Sequence, residues 1–127
     1  MALFSGRPHR QAETVDPATP FVFRVDDVFT VTGRGRLFTG TVESGAVVVG
    51  APAALEVGDR VLRGTVRRME TRRRGRPVML SAGDSGAVGL EGVDVNDLPL
   101  RMHGGHTVVD SAALRGAVIR SVQPSAD

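Results

Sequence analysis

The chain contains no cysteine, no tryptophan and no tyrosine, and although sixteen of its 127 residues are basic, none of them is lysine. Each absence removes a class of function. Without cysteine there is no disulfide framework, no thiolate metal ligand and no cysteine nucleophile. Without lysine the phosphate loop Gly-x-x-x-x-Gly-Lys-Ser/Thr cannot be built, because its lysine is the group that reaches the outer phosphates. The aromatic complement is five phenylalanines, so the base-stacking platforms of single-stranded RNA readers are scarce. No apolar run approaches the roughly 20 residues of a membrane-spanning helix. The opening "MALFSGRPHRQAETVDPATP" also lacks the continuous apolar segment of a secretory leader. No membrane association is expected, and the cytoplasm is the expected compartment.

What the chain has in excess is arginine, unevenly placed. Its length and its mass of 13.4 kDa suit one domain with a real core and leave no room for a nucleotide-hydrolysing domain beside a second module. The formal charge of +2 conceals a division along the chain. Eight arginines fall between residues 60 and 76 against a single acid, Glu70, a local charge of +7, while the other eight stand against thirteen acids, a charge of −5. A segment of that kind attracts polyanions through phosphate pairing and counterion release. The plainer alternative is a solvated arginine-rich hairpin.

Periodicity points to strands. Residues 1–19 mix proline, histidine, arginine and small polar residues without a repeat and are expected to form a disordered, flexible N-terminal tail. From Pro20 the pattern alternates: "FVFRVDDVFTV" places Phe21, Phe23, Val25, Phe29 and Val31 inward, with Asp27 breaking the series where a bulge can sit. "RLFTGTVE", "AVVVG" and "AALEV" follow as short strands separated by Gly and Pro turns. In the polar stretch "RVLRGTVRRMETRR" the inward positions are expected to be Val61, Thr65 and Met69. "VMLSAGDSGAVGLEGV" reads as strand, loop and strand, and "HTVVD" and "AVIRSV" are strand candidates; "DVNDLPL" and "DSAALRG" allow at most short helical turns. The expectation is an all-β chain: a single closed, mostly antiparallel, six-stranded barrel of Greek-key type over residues 20–110. A C-terminal extension, 111–127, holds one more strand or short helix and then a loose end.

The stretch "PFVFRVDDVFTVTGRGRLFTGTVESGAVVVG", residues 20–50, resembles the start of the second domain of elongation factor Tu and the equivalent β-barrel of other translational GTPases. The resemblance returns in "GTVRRMETRRRG" and in "LSAGDSGAVGLEGV", and covers about residues 20–100. It implies the translation-factor β-barrel and no GTPase domain. Gly33 and Gly35 flank Arg34, but the segment after Gly35 is a strand, whereas a phosphate-binding glycine loop opens into a helix N-terminus. The Gly33-Arg34-Gly35 turn is therefore expected to dock a partner, since in the family it lies on an exposed rim facing partner domains or the small ribosomal subunit, or else to be an ordinary hairpin tip. No nucleotide is expected there.

The resemblance also implies a binding site. In elongation factor Tu this barrel helps hold the aminoacylated 3′ end of transfer RNA with a glutamate and an arginine three residues later, positions that fall on Glu70 and Arg73. A carboxylate accepts from adenine or ribose donors, and arginine stacks or pairs with phosphate. Arg67, Arg72, Arg73 and Arg74 are accordingly expected to face RNA together with Glu70 and Ser85, Ser85 standing where the family has asparagine. Ion pairing of Glu70 with Arg67 or Arg74 is the plain alternative. The family's later Arg-Gly falls at Leu100-Arg101, and Arg72 stands where the family has an aromatic, so the pocket is half retained.

Other constellations carry less chemistry. His103, His106 and Asp110 lack the further ligand and second shell of a closed metal site. Adjacent acids in a strand such as Asp26 and Asp27 point to opposite faces and cannot share a proton. No nucleophilic triad is in view. No catalytic residue, metal or cofactor is expected. The expected function is a non-catalytic module binding RNA or the ribosome in a translation-related context; the alternative is a protein-interaction β-barrel docking on a separate partner such as a GTPase subunit.

Overall fold

The computed structural model describes residues 19–31, 35–72 and 77–122. The tail expected at 1–19 lies outside the described residues apart from Thr19, and so does the loose end beyond 122. Among the described residues nine strands run in chain order: β1 (Phe21–Val31), β2 (Gly35–Val48), β3 (Pro52–Val57), β4 (Arg60–Glu70), β5 (Met79–Ser81), β6 (Ser85–Glu91), β7 (Leu100–His103), β8 (His106–Val109) and β9 (Val118–Ser121). Helix is confined, among the described residues, to a 3₁₀ turn at Val95–Asp97 and a single turn, α1, at Ser111–Leu114. Both lie in the two segments read as short turns from sequence.

The strands pair in the order β1-β9-β3-β4-β6-β2, and β2 returns to pair with β1. Every pairing is antiparallel, so the six strands close the expected barrel and leave no edge within the ring. β2 is long enough to serve two partners beyond β1. Its Phe38–Thr41 portion pairs with β6, and its end, Ala46–Val48, carries the short β5 outside the ring. β7 and β8 form a separate two-stranded ribbon, joined at Gly104-Gly105. β8 falls on the strand read at "HTVVD", while β7 has too little β-branched or aromatic character to be read from sequence.

The ring closes with a strand from the segment expected as an extension. β9 pairs with both β1 and β3, and the backbone of Val25 continues that ladder by bonding to Gly116 and Ala117 at 2.9 and 2.8 Å. The barrel thus runs past residue 110, to Ser121. β9 falls on the strand candidate at "AVIRSV"; with four residues, of which Ile119 alone is fully buried, it gave little sign that it closes the ring. Leu114 of α1 and Leu98, just after the 3₁₀ turn, join the same core as Phe21, Phe23, Phe38, Leu55, Met69 and Leu80.

Register is altered at bulges, and these correct the inward positions read from simple alternation. In β1, Val25 faces Gly40 and Asp27 faces Thr39, so Asp26 is an extra residue opposite no partner. The bulge falls one residue before the expected break. Beyond it Val28 is buried, whereas Phe29, expected inward, is 45% exposed; the side chain of Val31 lies outside the described set. In β4, Val66 faces Leu90 and Arg68 faces Gly89, which leaves Arg67 as the extra residue. Val66 and Met69 are both buried as a result, three positions apart instead of two. Thr65 and Val61, expected inward, face solvent, Val61 at 56% exposure.

If β9 is a wall of the barrel, Ile119→Ala should lower stability by about 2–5 kcal/mol, the cost of truncating a fully enclosed aliphatic side chain. The midpoint of thermal unfolding reports it. A change within about 0.5 kcal/mol, typical of surface positions, would mean that the C-terminal segment is dispensable.

Candidate functional site

Two neighbouring grooves lie on the barrel's outer wall, and the expected site residues divide between them. The larger, about 1100 Å³, is lined by Glu70, Arg72 and Ser85 together with Asp26, Phe29 and Asp84. The smaller, about 380 Å³, is lined by Arg67 and Gly35 together with Arg36 and Arg68. Arg73, Arg74, Gly33 and Arg34 lie outside the described residues.

The large groove is assembled from four chain segments. The β1 bulge supplies Asp26 and sets Phe29 on its wall, and β2 supplies Thr39, Gly40 and Leu37. Leu37 is buried outside the core cluster, so it serves as an apolar floor. At Gly40 the walls come too close for a side chain: a Cβ there would overlap the carbonyl oxygen of Arg24. The end of β4 brings Glu70, half-buried with its Oε2 enclosed by protein, and next to it Thr71 and the exposed Arg72.

The turn "SAGDS" completes the rim. Gly83 adopts φ +92°, the Asp84 carboxylate accepts the Ser81 amide proton at 2.8 Å, and the strands beyond are tied by Val42 N–H to the Asp84 carbonyl at 2.9 Å. Ser85 is held beside Thr41, their hydroxyls 3.1 Å apart. Ser85 therefore lies at the groove's edge, already sharing its hydroxyl with a neighbour.

Charge distinguishes the two grooves. The larger is lined, among the described residues, by three carboxylates, Asp26, Glu70 and Asp84, against the single cation Arg72. Its floor repels phosphate and suits a neutral or amine-bearing ring lying against Phe29 and Leu37. The smaller is lined by three arginines and Glu91, and Arg67 Nη1 donates to Glu91 Oε2 at 2.8 Å. Arg67 thus makes its ion pair with Glu91, not with Glu70. Asp27 turns its carboxylate back to the Val28 amide at 2.8 Å, so it forms no acid pair with Asp26.

Phe29, Asp26, Arg36 and Arg68 were not read from sequence as site residues. Phe29 was assigned to the interior by alternation, and only the position of the bulge reverses that. His103 and His106 face each other across the β7–β8 turn with Arg101 Nη1 3.5 Å from His103 Nδ1, and no three potential metal ligands come together among the described residues. Leu100 and Arg101 sit on the ribbon, exposed and apart from both grooves.

No protein-family model matches the chain. Among solved structures it is similar to translation elongation factor SelB from Methanococcus maripaludis in its apo form, with a TM-score of 0.57 and 22% sequence identity over 80% of this chain. The match spans 19% of that factor, so this chain corresponds to about a fifth of its length. The likeness establishes the fold: this is a barrel of the kind found in translation factors, as the second domain of elongation factor Tu resembles it. Fold by itself assigns no activity.

The exposure of Phe29 gives a direct test of the groove's wall. Phe29→Ala should cost less than about 1 kcal/mol in folding stability, whereas Phe23→Ala, fully buried in the core, should cost about 3–5 kcal/mol. Equal losses in chemical denaturation would return Phe29 to the interior.

Proposed function

We propose that the chain is a non-catalytic binding module that engages RNA or the ribosome in the cytoplasm, using the arginine-rich end of β4 and the groove beside it. The observation that carries this reading is the juxtaposition of two unlike surfaces at one place. An acidic, partly apolar groove with Phe29, Glu70 and Ser85 adjoins Arg72, in the latter part of the +7 segment. An RNA terminus matches both: a base enters against Phe29 and offers amino or ribose hydroxyl protons to Glu70, while phosphates stay outside with the arginines. The carboxylates that repel phosphate also orient the ligand base-first.

A second reading has its own observation. The β7–β8 ribbon exposes Leu100 and Met102, the latter 65% accessible, and as a two-stranded sheet it offers backbone along both outer edges. These features suit docking on a protein, such as a separate GTPase subunit.

Binding to short RNAs over a range of salt concentrations tests the first reading. Arg72→Ala with Arg73→Ala should flatten the slope of log affinity against log salt by up to ~2 and weaken all sequences alike. Melting should move little, since exposed arginines contribute within about 0.5 kcal/mol. Glu70→Ala should selectively weaken RNAs ending in adenosine; a general tightening would reduce Glu70 to a charge partner. A wild-type protein with no affinity for RNA or ribosomes at low salt would favour the protein-docking module.

A further inference from the structure

The two strands of the β7–β8 ribbon are not equivalent. Across the ladder Leu100 stands opposite Val109, Arg101 opposite Val108, Met102 opposite Thr107 and His103 opposite His106. Opposed residues share a face, and successive residues swap it. Leu100 and Met102 therefore lie on an apolar face, Arg101 and His103 on a cationic one. Side-chain contacts agree: Thr107 Oγ1 donates to Met102 Sδ at 3.4 Å, and Arg101 Nη1 lies 3.5 Å from His103 Nδ1. All four residues of β7 are exposed, whereas β8 ends in the half-buried Val108 and Val109, and Val109 packs on the barrel core. β8 is thus the strand held toward the barrel, and β7 is the outer one.

The phase of the hydrogen bonds fixes what the outer edge offers. In an antiparallel ladder the opposed pairs alternate between those that exchange backbone bonds and those that do not. The Asp110 N–H donates to the Pro99 carbonyl at 2.8 Å, so this pair belongs to the bonded set, and with it the pairs of Arg101 and His103. Leu100 and Met102 then turn their N–H and C=O groups away from β8. Among the described residues β7 pairs with no other strand. Such an edge is a template for a further strand, and a ribbon of two strands gains stability from a third. An antiparallel strand laid along β7 bonds to Leu100 and Met102, and meets Arg101 between them in the closer, non-bonded type of pair, where side chains interact most.

Charge selects the occupant. The segment from Leu98 to Val109 holds one arginine, two histidines and no acid. A carboxylate opposite Arg101 complements it, and apolar residues opposite Leu100 and Met102 extend their face. A second copy of β7 is a poor match, because the antiparallel register that uses Leu100 and Met102 of both copies sets Arg101 directly against its own counterpart. RNA would use the cationic face alone and leave the apolar face and the backbone edge idle.

We propose that β7 is a docking edge for an extended protein segment in which acidic and apolar residues alternate, added antiparallel as a third strand of the ribbon. The inference rests on the protein-docking reading above and is independent of RNA binding at the grooves.

The test titrates a short, end-capped peptide of alternating valine and glutamate into the isotope-labelled full chain at low salt. The backbone amide resonances of β7 should shift. The same peptide N-methylated at its valines, whose N–H groups would face Leu100 and Met102, should lose the effect; N-methylation at its glutamates, which blocks the opposite edge, should leave it. Arg101→Glu should weaken the glutamate peptide several-fold and admit a valine–lysine peptide instead, with an unchanged melting temperature. If the valine-methylated peptide shifts β7 as strongly as its parent, strand addition is wrong while protein docking on the ribbon stands. If the wild type takes the lysine peptide as well as the glutamate peptide, the acidic partner is overturned. If no peptide moves β7, whether or not a short RNA does, the inference and the docking reading fall together.

Discussion

The pleat of a β-strand sends successive side chains to opposite faces, and a barrel wall can depart from that rule only by inserting a residue. This chain does so at Asp26 in β1, at Glu43 in β2 and at Arg67 in β4, and the first and last of these shape the grooves. Before Asp26 the interior takes Phe21, Phe23 and Val25; after it, Val28 is buried and Phe29 is turned out. Around Arg67 the interior takes Val66 and Met69, and the arginine pair is left on the outer wall. The walls of the two grooves follow from the insertions at Asp26 and Arg67. A barrel built from these residues with strict alternation would bury Phe29 and Thr65 and would lose one groove wall.

The grooves have opposite electrostatic character although they lie on one wall. Around the larger, three carboxylates are supplied by β1, β4 and the turn before β6; around the smaller, three arginines are supplied by β2 and β4. At the separations within one groove, like charges reinforce one another and are less screened than isolated surface charges. A ligand with one polarity would be accepted by one groove and refused by the other. An oligonucleotide has both a base with donor groups and an anionic backbone, which is why the pair of surfaces suits it better than either alone. Barrel closure holds the surfaces in fixed relation, since β6 lies between β2 and β4 and is hydrogen-bonded to both.

Much of the architecture was legible in the sequence because alternation and glycine turns are local signals. "FVFRV", the turn "SAGDS" and the two short helical segments lie where the pattern put them. Glu70, Arg72 and Ser85 do come to a common groove. What was not legible depends on partners distant in sequence. Whether Asp26 or Asp27 is the extra residue is decided by how Gly40 and Thr39 pair with β1. The bulge at Arg67 is decided by Gly89 and Leu90 on β6, and nothing in "GTVRRME" announces it. The closing strand β9 was legible as a strand at "AVIRSV", but it is four residues long and stands nearly a hundred residues from β1, its first partner, so no local signal places it in the ring. In each case tertiary pairing overrides the simplest reading of the pattern.

The central claim is that the insertion at Asp26 turns Phe29 outward while Val28 stays in the core. The chain has no cysteine, so a single introduced thiol reports its own position without interference. Val28→Cys and Phe29→Cys proteins should be treated under native conditions with a thiol-reactive reagent and followed by mass spectrometry. The account predicts rapid labelling of the Phe29→Cys protein and strong protection of the Val28→Cys protein. Protection at 29 with rapid labelling at 28 would mean that β1 alternates without the bulge, and the larger groove would lose the wall on which the proposed recognition depends.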